Sequence, residues 1–118
     1  MRADFLRKSV QRHLRSQGYE AFFPEGGIHA GSGMIDGEVY ERGFKIAVEL
    51  KSDNNILCGL GQLLEALAHG YDEALLVTSS TRAERLDIKV FEASGIGLAA
   101  VNSKRELKII VEPKIVKF

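Results

Sequence analysis

The sequence predicts an α/β fold, a mixed β-sheet covered by helices on both faces, built by one domain over residues 1–118. Three observations carry this. Segments with the apolar period of a helix alternate with short apolar runs bounded by glycine. A hairpin signal, two alternating segments about Arg42-Gly43, lies between the first two helical segments. The later strand–helix–strand segment is a crossover long enough to set its strands parallel. The length of 118 residues, with 45% hydrophobic and 27% charged residues, suits a globular domain with a real core.

The elements follow in order. From Ala3 to Gln17, Leu6, Val10 and Leu14 recur on one helical face, and Gly18 supplies the stop. Tyr19–Glu25 is a short strand ended by Pro24. The segment Gly26–Gly33, with four glycines, reads as a mobile loop. The hairpin strands then run through Met34–Glu41 and Phe44–Ser52. The cluster Ser52–Asn55 opens a helix over Leu57–His69, with Leu60, Leu63, Leu64 and Leu67 inward. Glu73–Ser79 is a buried strand. A third helix starts at the capping box Thr81 and Glu84, turns Leu86, Val90 and Ala93 inward and ends at Gly95. Ile96–Asn102 is another strand. The tail Lys108–Phe118 gives a last strand, which either completes this sheet or pairs with a second copy of the chain.

Composition excludes several function classes. No apolar run approaches the roughly 18 residues a membrane helix needs, and no signal-peptide core is present. The single cysteine, Cys58, excludes an internal disulfide and a Cys-rich metal site, and fits a reducing, cytoplasmic setting with the thiol buried. Net charge is zero but unevenly spread. The first helix holds Arg2, Arg7, Lys8, Arg12 and Arg15 against Asp4, the centre is acidic, and the last third is basic. This distribution fits a metal site between phosphate-binding surfaces, and equally fits solvated helix faces.

The hairpin carries the chemistry. With the turn at Arg42-Gly43, Val39 meets Ile46 and Asp36 meets Glu49. Directly opposed side chains lie about 4.5–5.5 Å apart, where like charges destabilise a sheet. Period-two alternation puts Lys51 on the same face and sends Ile35, Val39, Ile46, Val48 and Leu50 to the other. If helices cover both faces, the two carboxylates need a cation to neutralise them. Mg²⁺ takes hard oxygen ligands of this kind, together with waters and a phosphate. Asp36, Glu49 and the Leu50 carbonyl are the candidate ligands, Lys51 the candidate catalytic cation, and Gln62 on the next helix a polar accessory.

Asp36, Glu49-Leu50-Lys51 on the next strand and a helix bearing Gln62 resemble the PD-(D/E)XK nuclease superfamily. The order αβββαβ through Ser79, followed by αββ, is similar to its restriction-endonuclease-like core. The small archaeal Holliday-junction resolvases are the most similar subgroup, through Gly31-Ser32-Gly33 and the run Glu49–Ser52. Ile35 stands where the family motif has proline. The resemblance implies a Mg²⁺-dependent endonuclease on DNA, with Mn²⁺ substituting, 5′-phosphate products and a homodimer. It also implies Asp36 and Glu49 as metal ligands, Lys51 as catalytic lysine, Asp4 as the acid some members carry in the first helix, and Ser32 near the scissile phosphate. The basic residues of the first helix are candidate DNA contacts. Two other classes fit the residues: a non-catalytic DNA- or protein-binding module on this fold, and an α/β interaction protein with a polar hairpin face.

Overall fold

The computed structural model describes residues 2–116; Met1, Lys117 and Phe118, the last two part of the expected C-terminal tail, lie outside them. Its elements are α1 (Ala3–Ser16), β1 (Glu20–Phe22), β2 (Ile28–Ala30), β3 (Gly33–Ile35), β4 (Gly37–Glu41), β5 (Phe44–Lys51), α2 (Ile56–Ala68), β6 (Glu73–Ser79), α3 (Ser80–Ala83), α4 (Ile88–Ser94), β7 (Gly97–Val101) and β8 (Leu107–Val111). Six strands form one sheet in the order β1-β4-β5-β6-β7-β8. The pairs β5–β6 and β6–β7 are parallel and the other three antiparallel, so the sheet is mixed as expected.

Both sheet faces are buried. Val39, Ile46, Val48, Leu75, Val77, Ala99 and Val101 pack with Leu6, Val10 and Leu14 of α1. Ala47, Ala74, Leu76 and Leu98 pack on the opposite face with Leu60, Leu63 and Leu67 of α2 and Phe91 of α4. The period-two pattern of each strand therefore feeds two apolar layers rather than one layer and solvent.

The hairpin register is the expected one, with Val39 opposite Ile46 and Glu41 opposite Phe44. Arg42 and Gly43 both have positive φ (51° and 83°), the backbone of the two-residue turn whose twist matches the strands.

Several expectations require correction, and one open alternative is settled. Gly26–Gly33 is not simply a loop, because β2 and β3 pair as a small second hairpin, Ile28 opposite Ile35 and Ala30 opposite Gly33. The first hairpin strand is consequently broken at Asp36, and Ile35 joins the α2 layer instead of the face shared by Val39 and Val48. The third helix is two. Ser79 caps α3 by accepting from the Arg82 N–H, and Asp87 caps α4 by accepting from the Lys89 N–H. That restart resets the helical phase, so Phe91 turns inward while Val90 and Ala93 face out. On α2, Leu64 is exposed rather than inward, as is the Cys58 thiol. The C-terminal strand β8 completes this chain's own sheet as an edge strand beside β7.

Candidate functional site

The strand directions bring the chemistry to one end of the sheet. Strands β5, β6 and β7 run parallel and finish there, at Lys51, Ser79 and Val101, and β4, antiparallel to β5, begins there after Asp36. Ligands of open α/β sheets bind at such carboxyl ends. Asp36 sits at a bend between β3 and β4, where its N–H still reaches the Val48 carbonyl at 3.2 Å. It is fixed on the far side by Gly37, where an added Cβ would collide with the Phe23 ring and the Phe22 carbonyl at 2.7 Å.

Asp36 and Glu49 are held together by two contacts. The Asp36 backbone N–H donates to Glu49 Oε1 at 3.1 Å, and the Leu50 N–H donates to Asp36 Oδ2 at 2.8 Å. Glu49 is only 3% exposed, one of three buried polar residues, with Ser9 and Thr78, among the described residues. Burial foremost, then the hydrogen bond and negative charge of Asp36, pushes the Glu49 carboxyl up to about 9, while nearby Lys51 opposes the rise. A rise of this size favours the protonated Glu49 carboxyl at neutral pH.

Lys51 ends β5 and its stem lies along α2. An added Cβ at Gly59 would sit 3.0 Å from Lys51 Cε and 3.1 Å from Leu76 Cδ1, so the missing side chain makes the lysine's channel. Thr78, fully buried, donates from Oγ1 to the Lys51 carbonyl at 2.7 Å and fixes the strand end. Neither Gly59 nor Thr78 carried a functional signal in the sequence. A glycine inside a helix that follows an E-x-K strand is the one clue that reasoning could have used.

The other candidates are placed differently. Gln62 Nε2 donates to the Met34 carbonyl at 2.9 Å, which ties α2 to the strand entering Asp36 rather than reaching the carboxyls. The Ser32 N–H (3.0 Å) and hydroxyl (2.8 Å) both donate to Glu65 Oε1 on α2 and hold that carboxyl below its ordinary range. The glycine-rich tip is thus pinned to the helix. Asp4 pairs with Arg7 at 2.6 Å and Lys8 at 3.2 Å, which keeps its carboxyl depressed, and makes no contact with Asp36 or Glu49 among the described residues. Arg7 and Arg15 also donate to the Phe23 and Ala21 carbonyls. Arg2, Lys8 and Arg12 line a shallow surface with Arg105, whose guanidinium lies 4.7 Å over the Phe5 ring. Glu38 accepts from Tyr40 at 2.9 Å and from Tyr71 at 2.5 Å; the Tyr40 phenol is pushed up chiefly by Glu38, and the Tyr71 phenol by burial first and then by Glu38.

The hard, anionic oxygens of Asp36 and Glu49 fit a divalent ion such as Mg²⁺, since an ion would replace the proton Glu49 otherwise holds. Two carboxylates are what the site offers: no cluster of three or more His, Cys, Asp or Glu side chains suited to a metal occurs among the described residues. The remaining ligands would come from the Leu50 carbonyl, water and a phosphate.

No protein-family model matches this chain, and no curated protein does. Solved structures do. A protein of unknown function from Silicibacter pomeroyi superposes with a TM-score of 0.70 at 18% identity, covering 100% of this chain and 75% of its own. An XisH family protein from Nostoc punctiforme gives 0.68 at 17% identity, over 91% of this chain and 99% of its own. An fdxN element excision controlling factor protein from Anabaena variabilis gives 0.68 at 16%, over 91% and 98%. This chain shares the overall fold of these neighbours, with its mixed six-stranded sheet flanked by helices. At these identities the likeness defines the fold alone. No helix among the described residues is long and apolar enough to cross a membrane.

Proposed function

We propose that the chain is a divalent-metal-dependent endonuclease of the PD-(D/E)XK type that hydrolyses phosphodiester bonds in DNA. The observation that carries the reading is Glu49: a carboxyl buried against a second carboxyl, beside a lysine, at the ligand-binding end of the sheet. A purely structural role gives no reason to bury this pair, because each carboxyl raises the cost of ionising the other.

Asp36 and Glu49, with the Leu50 carbonyl, are the groups that would hold Mg²⁺ or Mn²⁺. When bound, the ion supplies Lewis-acid polarisation of a phosphoryl oxygen. Lys51, aligned by the gap at Gly59, presents a positive charge to the oxygens that gain charge as water attacks phosphorus in line. The water oxygen bonds to phosphorus as the bond from phosphorus to the 3′ oxygen breaks; the water gives up a proton to solvent, the 3′ oxygen takes one from solvent, and a 5′-phosphate and a 3′-hydroxyl remain. DNA as the substrate is supported by the basic residues at this end of the sheet. One fold neighbour is named as an fdxN element excision controlling factor, which points the same way. One chain offers one such centre, so cutting both strands of a duplex or junction calls for a homodimer. The exposed edge of β8, with Ile109 and Ile110 partly uncovered, suits pairing between copies. The lone cysteine fits work in the reducing cytoplasm.

The two-carboxylate donor set favours one alternative, a module that binds DNA on this fold without cutting it. A substrate panel of supercoiled plasmid, linear duplex, single strand, flap and four-way junction separates the readings. Each is incubated with Mg²⁺, Mn²⁺ or EDTA beside Glu49→Ala and Lys51→Ala. Metal-dependent cleavage lost in both variants is the expected result. Binding of these DNAs without cleavage by the wild type selects the module.

A further inference from the structure

A second polar hollow, of about 430 Å³, opens at the same end of the sheet, one to two strands from Lys51. Asn54, Ser80, Thr81, Arg82, Arg85 and Ser103 line it, and no carboxylate does. Most basic side chains of this chain have no acidic partner among the described residues, and the hollow's arginines are two of them. Neither Arg82 nor Arg85 has an acidic partner within ion-pair distance among the described residues, whereas Arg7, Lys8 and Lys45 each do. Arg82 is nevertheless held in place: its Nε donates to Asn54 Oδ1 at 3.0 Å and its Nη1 to Ser79 Oγ at 3.4 Å. A guanidinium oriented by neutral groups keeps its charge and its remaining donors for an anion. Arg85 makes no side-chain hydrogen bond among the described residues and adds a second charge to the same hollow.

The hollow is coupled to the candidate catalytic strand through short covalent and hydrogen-bonded links. Asn54 lies three residues beyond Lys51, and Thr78, bonded to the Lys51 carbonyl, directly precedes Ser79. Neighbouring strands lie about 4.8 Å apart, which puts the hollow on the order of 10 Å from the end of β5. That is the scale of one or two nucleotides along a strand.

We infer that the Arg82–Arg85 hollow, with Ser80, Thr81 and Ser103, is a phosphate-binding subsite that holds a backbone phosphodiester of the DNA strand next to the one at Asp36, Glu49 and Lys51. The inference rests on the nuclease reading for the identity of the strand, but the site binds without metal or cleavage. Phosphate contacts of this kind fix the register of a strand and carry no sequence information.

The test is fluorescence anisotropy of a fluorescein-labelled DNA duplex and of its single strand in EDTA, at several salt concentrations. Wild type, Arg85→Ala and Arg85→Lys are compared. Arg85 bonds to nothing that maintains the fold, so its replacement leaves folding intact, verified by circular dichroism. Arg85→Ala is expected to weaken binding roughly three- to tenfold and to lower the slope of log affinity against log salt by about one. Arg85→Lys retains most of the affinity. Unchanged affinity and slope in Arg85→Ala overturn the subsite, while wild-type cleavage would still stand. Conversely, weakened binding in Arg85→Ala by a protein that cuts nothing supports the subsite and removes the nuclease. Calorimetry with inorganic phosphate alone covers the other source of the same chemistry. Weak binding agrees with a single diester contact, and micromolar binding lost in Arg85→Ala would reassign the hollow to free phosphate.

Discussion

Replacing Glu49 by glutamine tests the buried carboxyl pair without any substrate. In the unfolded chain a glutamate titrates near 4.5, and in the folded protein Glu49 is pushed up to about 9. Between these values the native state holds a proton that the unfolded state has lost. Stability contributed by this group is therefore complete below pH 4.5 and falls as pH rises toward 9. The steepest loss is about 1.4 kcal/mol per pH unit, so from pH 6 to 8 metal-free protein loses about 2–3 kcal/mol. Glutamine keeps the shape and can donate to Asp36, but it does not ionise. Glu49→Gln is accordingly expected to match the wild type near pH 5 and to exceed it by at least 1 to 2 kcal/mol at pH 8, on the order of half the linkage limit once water reaches the site. Urea unfolding in EDTA, at pH 5, 6, 7 and 8, measures both. A wild-type stability that is flat from pH 6 to 8, or a decline that persists in Glu49→Gln, would refute the buried, protonated pair.

Three further outcomes follow from the site's surroundings. Gly59→Ala gains up to about 1 kcal/mol in helix propensity. Its methyl group must displace the Lys51 stem or the fully buried Leu76, so cleavage is expected to fall at least tenfold while Tm changes little; unimpaired cleavage would sever Gly59 from Lys51. Glu65→Ala removes the shared acceptor of the Ser32 N–H and hydroxyl, so the Ser32 amide should exchange with solvent faster by NMR while β6 amides keep their protection. Arg42→Asn relieves a side chain held at positive φ in a turn that prefers asparagine, and a gain of about 0.5–1 kcal/mol is expected in urea unfolding; a loss would contradict the turn assignment.

The parts of this structure that were legible in the sequence are those fixed by local chemistry. The Arg42-Gly43 turn sets the register of β4 and β5, and alternation then puts Asp36, Glu49 and Lys51 together. The stripe of Leu6, Val10 and Leu14 fixes α1 for the same reason. What was not legible depends on distant partners. Nothing near Gly26–Gly33 shows that Glu65, thirty-three residues past Ser32, pins that segment into a hairpin. The division of α3 from α4 turns on two rival caps, Ser79 and Asp87, where the sequence offered Thr81 and Glu84 as an equally good box. Asp4, Gln62 and Ser32, the expected accessory residues, each have a partner that periodicity did not announce, in Arg7, the Met34 carbonyl and Glu65. Side-chain pairing across elements is invisible to periodicity.

The account depends most on the exchange of a proton for a divalent ion at Asp36 and Glu49. Isothermal titration calorimetry of Mn²⁺ and Mg²⁺ at pH 7, in two buffers of different ionisation enthalpy, measures that exchange directly. The expected result is one site per chain that releases about one proton on binding, weakens as pH falls, and disappears in both Asp36→Asn and Glu49→Gln. Absence of binding, or binding with no proton released and unchanged in either variant, would contradict a metal centre built on this carboxyl pair.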